Sequence, residues 1–329
     1  MRWRRSPWRH GLSSSSSDSS TSFTGPRYSL CRAPAVMYLE STTIPARDGT
    51  PLACHVALPD DAGSAVAAAA DAAVLVLHGI AWHGRPYRDV FAAHLVDDGV
   101  AVYAMDLRGH GLSGGTRGVL APRAVNLDDI GAVVAHIRGR HPGARLFLAA
   151  ESMGAIYALS FLARDPGAAA GLILVAPGVF LSAAQLLDPH GVVDLARALR
   201  RPSAPAVDIV GPRMGRAVRG DAFLRLRRGD ALAFSHLSLR YLLGLAAANA
   251  AMLWRDAGRV AAPTLVVQGT ADRAVCPLGA RWLARAMPGT VEVRMLPGVA
   301  HDVLWDVETA AVFAVVRGWL RARAAGPGV

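Results

Sequence analysis

A chain of 329 residues that is 52% hydrophobic has enough apolar material for one large core or two small ones, so a wholly disordered or fibrous protein is excluded. Three cysteines, Cys31, Cys54 and Cys276, are an odd number at no metal-ligand spacing; this speaks against a disulfide scaffold or a cysteine metal site and for a reducing compartment. The net charge of +10 rests on arginine alone, and with no nucleic-acid motif and no basic–aromatic stripe it speaks against a nucleic-acid partner.

Residues 1–36 are rich in arginine and then serine, and hold six arginines against one aspartate. They have too little apolar surface to bury and are expected to form a disordered tail. The same bias fits an organelle transit peptide, but a natural start at Met37 is the simpler reading; no apolar stretch follows the first charges, as a secretory signal would need. Residues 38–45 and 50–58 alternate around Arg47-Asp48-Gly49 and predict a hairpin. The apolar run 72–77 predicts a buried strand, 87–95 a helix with a stop at Gly99, and 100–105 the next strand. A helix is expected over 126–138, with Asp128 and Asp129 in its first turn, where the helix dipole favours them. A strand over 144–150 runs straight into Ser152, and a helix over 153–162 ends at Asp165-Pro166-Gly167. Further strands are expected at 171–176, 263–268 and 291–296. A terminal helix at 307–323 carries Val312, Val316 and Trp319 at helical spacing. The uncharged run 166–187 is broken at Ala176-Pro177-Gly178 and reads as core, not as a membrane span. Strands that alternate with helices and are apolar throughout predict an α/β fold: a mainly parallel sheet with helices on both faces. Reactive groups then belong at the carboxyl ends of the strands.

The interval 178–258 breaks the alternation. A helix is expected over 181–199, irregular chain around Pro202, Pro205 and Pro212, and a strongly apolar helix over 239–254. An insertion of this kind between two strands reads as a helical cap over the strand ends. The chain therefore divides into a tail (1–36), a first core part (37–177), a cap (178–258) and a second core part (259–329). Arginines crowd the cap at positions 197, 200, 201, 213, 216, 219, 225, 227 and 228. They read either as a solvated face or as a dock for an anionic lipid surface.

Strand, sharp turn with serine at its tip, then helix is the outline of a nucleophile elbow. The strand and helix cross closely there, so the flanking positions must be small. Gly154 meets that need; Ala150 stands where the usual motif has glycine. The competing reading of Ser152 is an ordinary helix N-cap. A serine nucleophile needs a base, a group that orients the base, and donors for the oxyanion. Among eleven histidines, His301 stands out, just past the last strand in Pro297-Gly298-Val299-Ala300-His301. His10 lies in the tail, His55 on the hairpin, and His136 and His141 at a surface helix end. Asp272 follows the strand 263–268 and is the candidate acid, or else a helix N-cap before Pro277; Asp302 and Asp306 lie too near His301 to orient it easily. The order Ser152, Asp272, His301 is that of the α/β-hydrolases. His78-Gly79-Ile80 follows the strand 72–77. It offers the backbone amide of Ile80, with that of Met153, as the oxyanion donors, and His78 itself reads as a loop brace.

On these stretches the chain resembles the monoacylglycerol lipase and lysophospholipase branch of the α/β-hydrolases, also called serine aminopeptidase-like hydrolases. The matching motifs run in order: His78-Gly79-Ile80; Asp106-Leu107-Arg108-Gly109-His110-Gly111-Leu112-Ser113-Gly114-Gly115 with Arg117-Gly118; Glu151-Ser152-Met153-Gly154; Gln268-Gly269-Thr270-Ala271-Asp272; and Gly298-Val299-Ala300-His301. The resemblance covers residue 39 to the C-terminus, and no motif supports it within the cap. It implies hydrolysis of an acyl ester of monoacylglycerol or lysophospholipid type through an acyl-enzyme, with Ser152 as nucleophile, His301 as base and Asp272 as its orienting acid. It calls for no metal and no organic cofactor. The helix 239–254 would then line an acyl channel, or simply pack on the core. An aminopeptidase or amidase on the same fold, and a catalytically silent binding module, are the alternatives. The expected location is the cytoplasm, with peripheral membrane contact through the cap arginines.

Overall fold

The computed structural model describes residues 37–59, 70–182, 189–209, 218–219, 221–306 and 308–324; the expected tail, 1–36, and Cys31 lie outside them. The expected hairpin is β1 (Met37–Pro45) against β2 (Pro51–Pro59), antiparallel from Met37 opposite Pro59 to Pro45 opposite Pro51. The apolar runs form β3 (Ala72–Leu77), β4 (Val100–Met105), β5 (Arg145–Glu151), β6 (Gly171–Val175) and β9 (Thr264–Gly269), and the half-buried, alternating Val-Glu-Val-Arg-Met-Leu forms the edge strand β10 (Val291–Leu296). Together they make an eight-stranded sheet in the order β1-β2-β4-β3-β5-β6-β9-β10. It is parallel from β4 to β10, with β2 antiparallel to β4.

Side chains alternate across this sheet, so each interior strand feeds two cores. On one face Leu75 and Leu77 of β3, Tyr103 and Met105 of β4 and Leu148 of β5 are buried. They meet α2 (Arg123–Arg140), α3 (Met153–Arg164) and α7 (Leu278–Ala286). On the other face Val74, Val76, Val102, Phe147 and Val267 meet α1 (Gly84–Leu95) and α8 (Thr309–Ala324), whose Phe91 and Phe313 rings cross edge to face at 5.1 Å. Each such side chain taken wholly out of water contributes about 1.5–3 kcal/mol.

Several local expectations are corrected. Helix α2 starts at Arg123, after Pro122 in the N-cap position, so Asp128 and Asp129 sit in its second turn. The buried Asp129 carboxylate accepts from Arg108 rather than serving the dipole. His141 is buried, not on the surface, with its Nε2 2.8 Å from the Tyr103 hydroxyl. Between β6 and β9 lie α4 (Pro189–Arg200), β7 (Val207–Asp208), α5 (Asp221–Arg228), β8 (His236–Leu237) and α6 (Leu239–Ala251). The helix expected from 181 is described only from Pro189; Leu181 instead bridges Val275, and 183–188 lie outside the described residues. Strands β7 and β8 pair with each other, apart from the main sheet. Ser238 caps α6 by accepting from the Tyr241 amide at 3.1 Å, and the helix runs on into a π-helical turn at Met252–Asp256. It buries Tyr241 and Ala248, whereas Leu243 is 61% exposed, and Trp254 beyond it is 87% exposed. Among the described residues no helix is long and apolar enough to cross a membrane.

Candidate active site

Strand β3 is where the winding of the sheet reverses: the chain passes first to β4 on one side and then to β5 on the other. Such a reversal opens a crevice beyond the carboxyl ends of the strands. Into it run residues 78–81 after β3 and Ser152 after β5, with Leu77 and Ala150 directly paired.

Ser152 has φ +49° and ψ −113°, a left-handed backbone that a non-glycine residue keeps only where its surroundings enforce it. The enforcement is visible. Its amide donates to the Val175 carbonyl at 3.1 Å, and its carbonyl accepts from the Gly178 amide at 2.9 Å. Although Ser152 occupies the N-cap position of α3, its side chain makes no cap hydrogen bond. The hydroxyl is therefore not spent on the helix. A Cβ on Gly154 would press on the Leu77 carbonyl oxygen and stand 2.9 Å from that of His78, so only glycine lets α3 pass this close to β3. Ala150 is buried in the core behind the turn, where its methyl is accommodated.

Asp272 and His301 come together from the loops after β9 and β10. Nδ1 of His301 donates to Oδ2 of Asp272 at 2.8 Å, and Nε2 of Gln268 donates to the same oxygen at 3.0 Å. Oδ1 of Asp272 accepts from the amides of Ala274 and Val275 at 2.8 and 2.9 Å. One oxygen thus closes a local turn and the other holds the histidine. Burial opposes the Asp272 charge, but His301 and these donors outweigh it and hold the carboxyl below its usual range. Burial likewise opposes a charged His301; the Asp272 carboxylate, with Glu151 and Asp302 nearby, overrides it and raises the imidazole to about 9. Asp302 turns to the Arg219 amide instead, at 3.2 Å.

The loop after β3 is braced by side chains. Leu107 donates its amide to Nε2 of His78 at 3.1 Å, which leaves the proton on Nδ1 to donate to the Gly79 carbonyl at 2.7 Å. Burial keeps His78 neutral, with its pKa lowered to about 3, so this tautomer holds across the working range of pH. The Gly79 amide donates to the Tyr87 hydroxyl at 2.9 Å, and that hydroxyl donates to Oε2 of Glu151. Tyr87 thereby ties the loop to the residue before Ser152. Burial raises the Glu151 carboxyl above its ordinary value, against the pull of His301 and Tyr87. Ile80 and Met153, the two expected amide donors, stand in the same crevice, one in this loop and one at the first position of α3.

Tyr87 and Glu151 are not among the expected site residues, yet a carboxylate closing an otherwise apolar strand is a readable sign of a buried partner. Tyr241 is another addition: its hydroxyl lies 3.2 Å from Sδ of Met153 and 3.0 Å from Nε2 of His110. The Asp106–Gly115 turn supports rather than enters the crevice. Asp106 is buried and accepts from the amides of Gly84 and Leu112 at 2.6 and 2.7 Å. His55, His83 and Asp106 are the described residues whose donor atoms cluster as a metal site would need, within 4.8 Å of one another. The Asp106 oxygens are already taken by these amides and by His55, and His83 reaches Asp230 at 2.6 Å, so the group serves as a hydrogen-bonded brace.

A family model described as serine aminopeptidase, S33, matches residues 68–308, from before β3 to beyond His301. The chain belongs to the serine aminopeptidase S33 family. Among characterised proteins, one named monoacylglycerol lipase, from Mycolicibacterium smegmatis, is 29% identical over 253 residues, spanning 75% of this chain and 87% of that protein. The human monoglyceride lipase is 27% identical over 268 residues, spanning 78% of this chain and 84% of that one. Among solved structures, a soluble variant of monoglyceride lipase from Saccharomyces cerevisiae, in complex with a substrate analog, superposes with a TM-score of 0.72 at 18% identity, covering 90% of this chain and 98% of that one. The S33 resemblance expected from the motifs therefore holds, and the sheet is that of an α/β-hydrolase.

Proposed function

We propose that this chain is a serine ester hydrolase that cleaves the acyl ester of a monoacylglycerol or lysophospholipid through an acyl-enzyme. The observation that carries the reading is Ser152, held in a left-handed turn with its hydroxyl spent on no helix cap, after β5 at the same carboxyl edge of the parallel sheet as the hydrogen-bonded Asp272 and His301, which follow β9 and β10. In this scheme neutral His301 takes the proton of Ser152 as its oxygen attacks the acyl carbonyl. The oxyanion is received by the amides of Ile80 and Met153. His301 then protonates the leaving alcohol, and water, deprotonated by the same imidazole, releases the acid. Asp272 keeps the imidazole proton on Nδ1 and balances the cation that forms.

The substrate class comes from the relatives named monoacylglycerol lipase and monoglyceride lipase, which this chain matches over most of their length. We read residues 178–258 as a cap over the crevice. Its exposed Leu243 and the neighbouring Trp254, with the exposed Arg197, Arg200 and Arg201, suit contact with an anionic lipid surface, which would make a cytoplasmic protein a peripheral membrane one. Arg227 is buried and leaves that patch. The test is fatty-acid release from a long-chain monoacylglycerol and the matching lysophospholipid by wild type and Ser152→Ala. Release from either lipid that is lost in the mutant supports the scheme, and the ratio sets the headgroup preference. Release that survives in Ser152→Ala removes it.

A further inference from the structure

Arg227 is expected from composition to be one more solvated arginine, yet it is 5% exposed and reaches the oxyanion loop from α5, outside the sheet. Its Nη2 donates to the carbonyls of Ile80 and Ala81 at 2.9 and 3.2 Å. Its guanidinium lies over the rings of Trp82 and Phe223, 5.3 and 5.9 Å from their centroids. A buried guanidinium is costly unless it is compensated. Here carbonyls at Nη2 and aromatic faces offset part of that cost, while Nε is buried without a hydrogen-bond partner among the described residues, and burial, which lowers its pKa, is opposed by Tyr87, Glu151 and Asp230. The same segment makes further ties. The Phe234 amide donates to the Ala81 carbonyl at 3.2 Å, and Asp230 accepts from Nε1 of Trp82 and Nε2 of His83 at 3.4 and 2.6 Å. Between them these groups hold Ala81 at φ +55°, a conformation alanine does not keep unaided.

The consequence lies in the order of the peptide units. The Gly79 carbonyl, bound by His78, shares its peptide plane with the Ile80 amide. The next two carbonyls are the ones bound by Arg227. His78 fixes the plane from the core side, and Arg227 fixes the chain that leaves it from the inserted segment. We propose that Arg227 is a positioning residue for the oxyanion hole, holding the Ile80 and Ala81 carbonyls so that the Ile80 amide stays aimed at the oxyanion. This inference rests on the ester-hydrolase reading above. It gives the inserted segment a part in the chemistry that is separate from any contact with the acyl chain. An interaction of this kind acts on the transition state more than on the bound substrate, so it belongs in kcat.

The test compares Arg227→Met, Arg227→Lys and, on the same helix, Arg228→Met, an exposed control. Each is assayed on a soluble aryl ester, with active sites titrated by a fluorophosphonate. Inhibition is measured with an alkyl trifluoromethyl ketone, whose adduct carries an oxyanion, and with an alkylglycerol ether, whose complex does not. For Arg227→Met we expect kcat per titrated site to fall at least tenfold and KM to stay within threefold. The ketone should weaken by the factor lost in kcat/KM while the ether binds as before. Arg227→Lys should recover part of the loss, and Arg228→Met should stay within twofold. An unchanged kcat per titrated site in Arg227→Met, or equal weakening of ketone and ether, would overturn the proposal. Should Arg227→Met not fold, Arg227→Lys must show the same kcat-only defect in smaller measure, and its absence counts against the proposal. Ester hydrolysis that persists in Ser152→Ala would remove the underlying reading instead, so the two failures are separable.

Discussion

On one side of the crevice, Asp272 and His301 stand in short loops directly after β9 and β10, joined by a 2.8 Å hydrogen bond and oriented by groups close by in the chain. On the other side, the loop at 78–81 is held by Tyr87 and Glu151 and, from a position 147 residues further along, by Arg227. The first wall is built by strands that deliver their loops to the right place. The second is assembled from separate parts and depends on the inserted segment being docked. On the proposed mechanism, proton handling and oxyanion handling have different structural supports and should fail in different ways.

The largest expected effect breaks the first wall. Asp272→Asn keeps an oxygen for the Ala274 and Val275 amides but loses the carboxylate that fixes the His301 proton, so kcat should fall by about 10³–10⁴, and the melting temperature should drop below about pH 9, where His301 is charged, and change little above it. Parallel rate and thermal-melt measurements check this. Next in size is the pH dependence. His301, raised to about 9, must be neutral to act as base, so kcat/KM should climb nearly tenfold per pH unit and level off above about 9. Glu151→Gln removes a carboxylate that favours the cation and should move that limb to lower pH. Stability runs the other way. Because the folded-state value lies above the unfolded one, the His301 contribution is fully present below about 6.5 and is lost as pH rises through about 9. Thermal melts across that range should decline while turnover rises. Smaller again is Gly154→Ala, which crowds the Leu77 carbonyl; a cost of about 1–3 kcal/mol is expected in denaturant unfolding. The smallest effect on turnover belongs to the triple replacement of Arg197, Arg200 and Arg201 by serine. It should leave a soluble ester within twofold and weaken binding to anionic vesicles, read by co-sedimentation.

What could be read in advance follows the same division. The interior strands are apolar runs buried on both faces, so hydropathy alone places them within a residue or two, and with them the loops that hold Ser152 and Asp272; the edge strand before His301, with Glu292 and Arg294 on its open face, was legible from its alternation instead. The hairpin at 37–59 was equally readable, because one glycine turn sets its register. Helix α2 begins earlier than its apolar pattern suggests, because Pro122 and Arg123 carry no hydrophobic signal. Arg227 could not be read at all. Eight other arginines crowd residues 197–228, and what separates it from them is a pair of carbonyls and two aromatic rings brought to it by folding. Glu151 lies between these cases: its charge at the end of an apolar strand was visible, but its partner Tyr87, 64 residues earlier, was not.

The most direct test of the central claim is to quench the enzyme with acid during turnover of a long-chain monoacylglycerol or an aryl ester, and to locate added mass by peptide mapping. The account predicts a single acyl group on the peptide that contains Ser152, absent from Ser152→Ala. An acyl group on any other residue, or steady turnover with no covalent adduct at any pH, would contradict it.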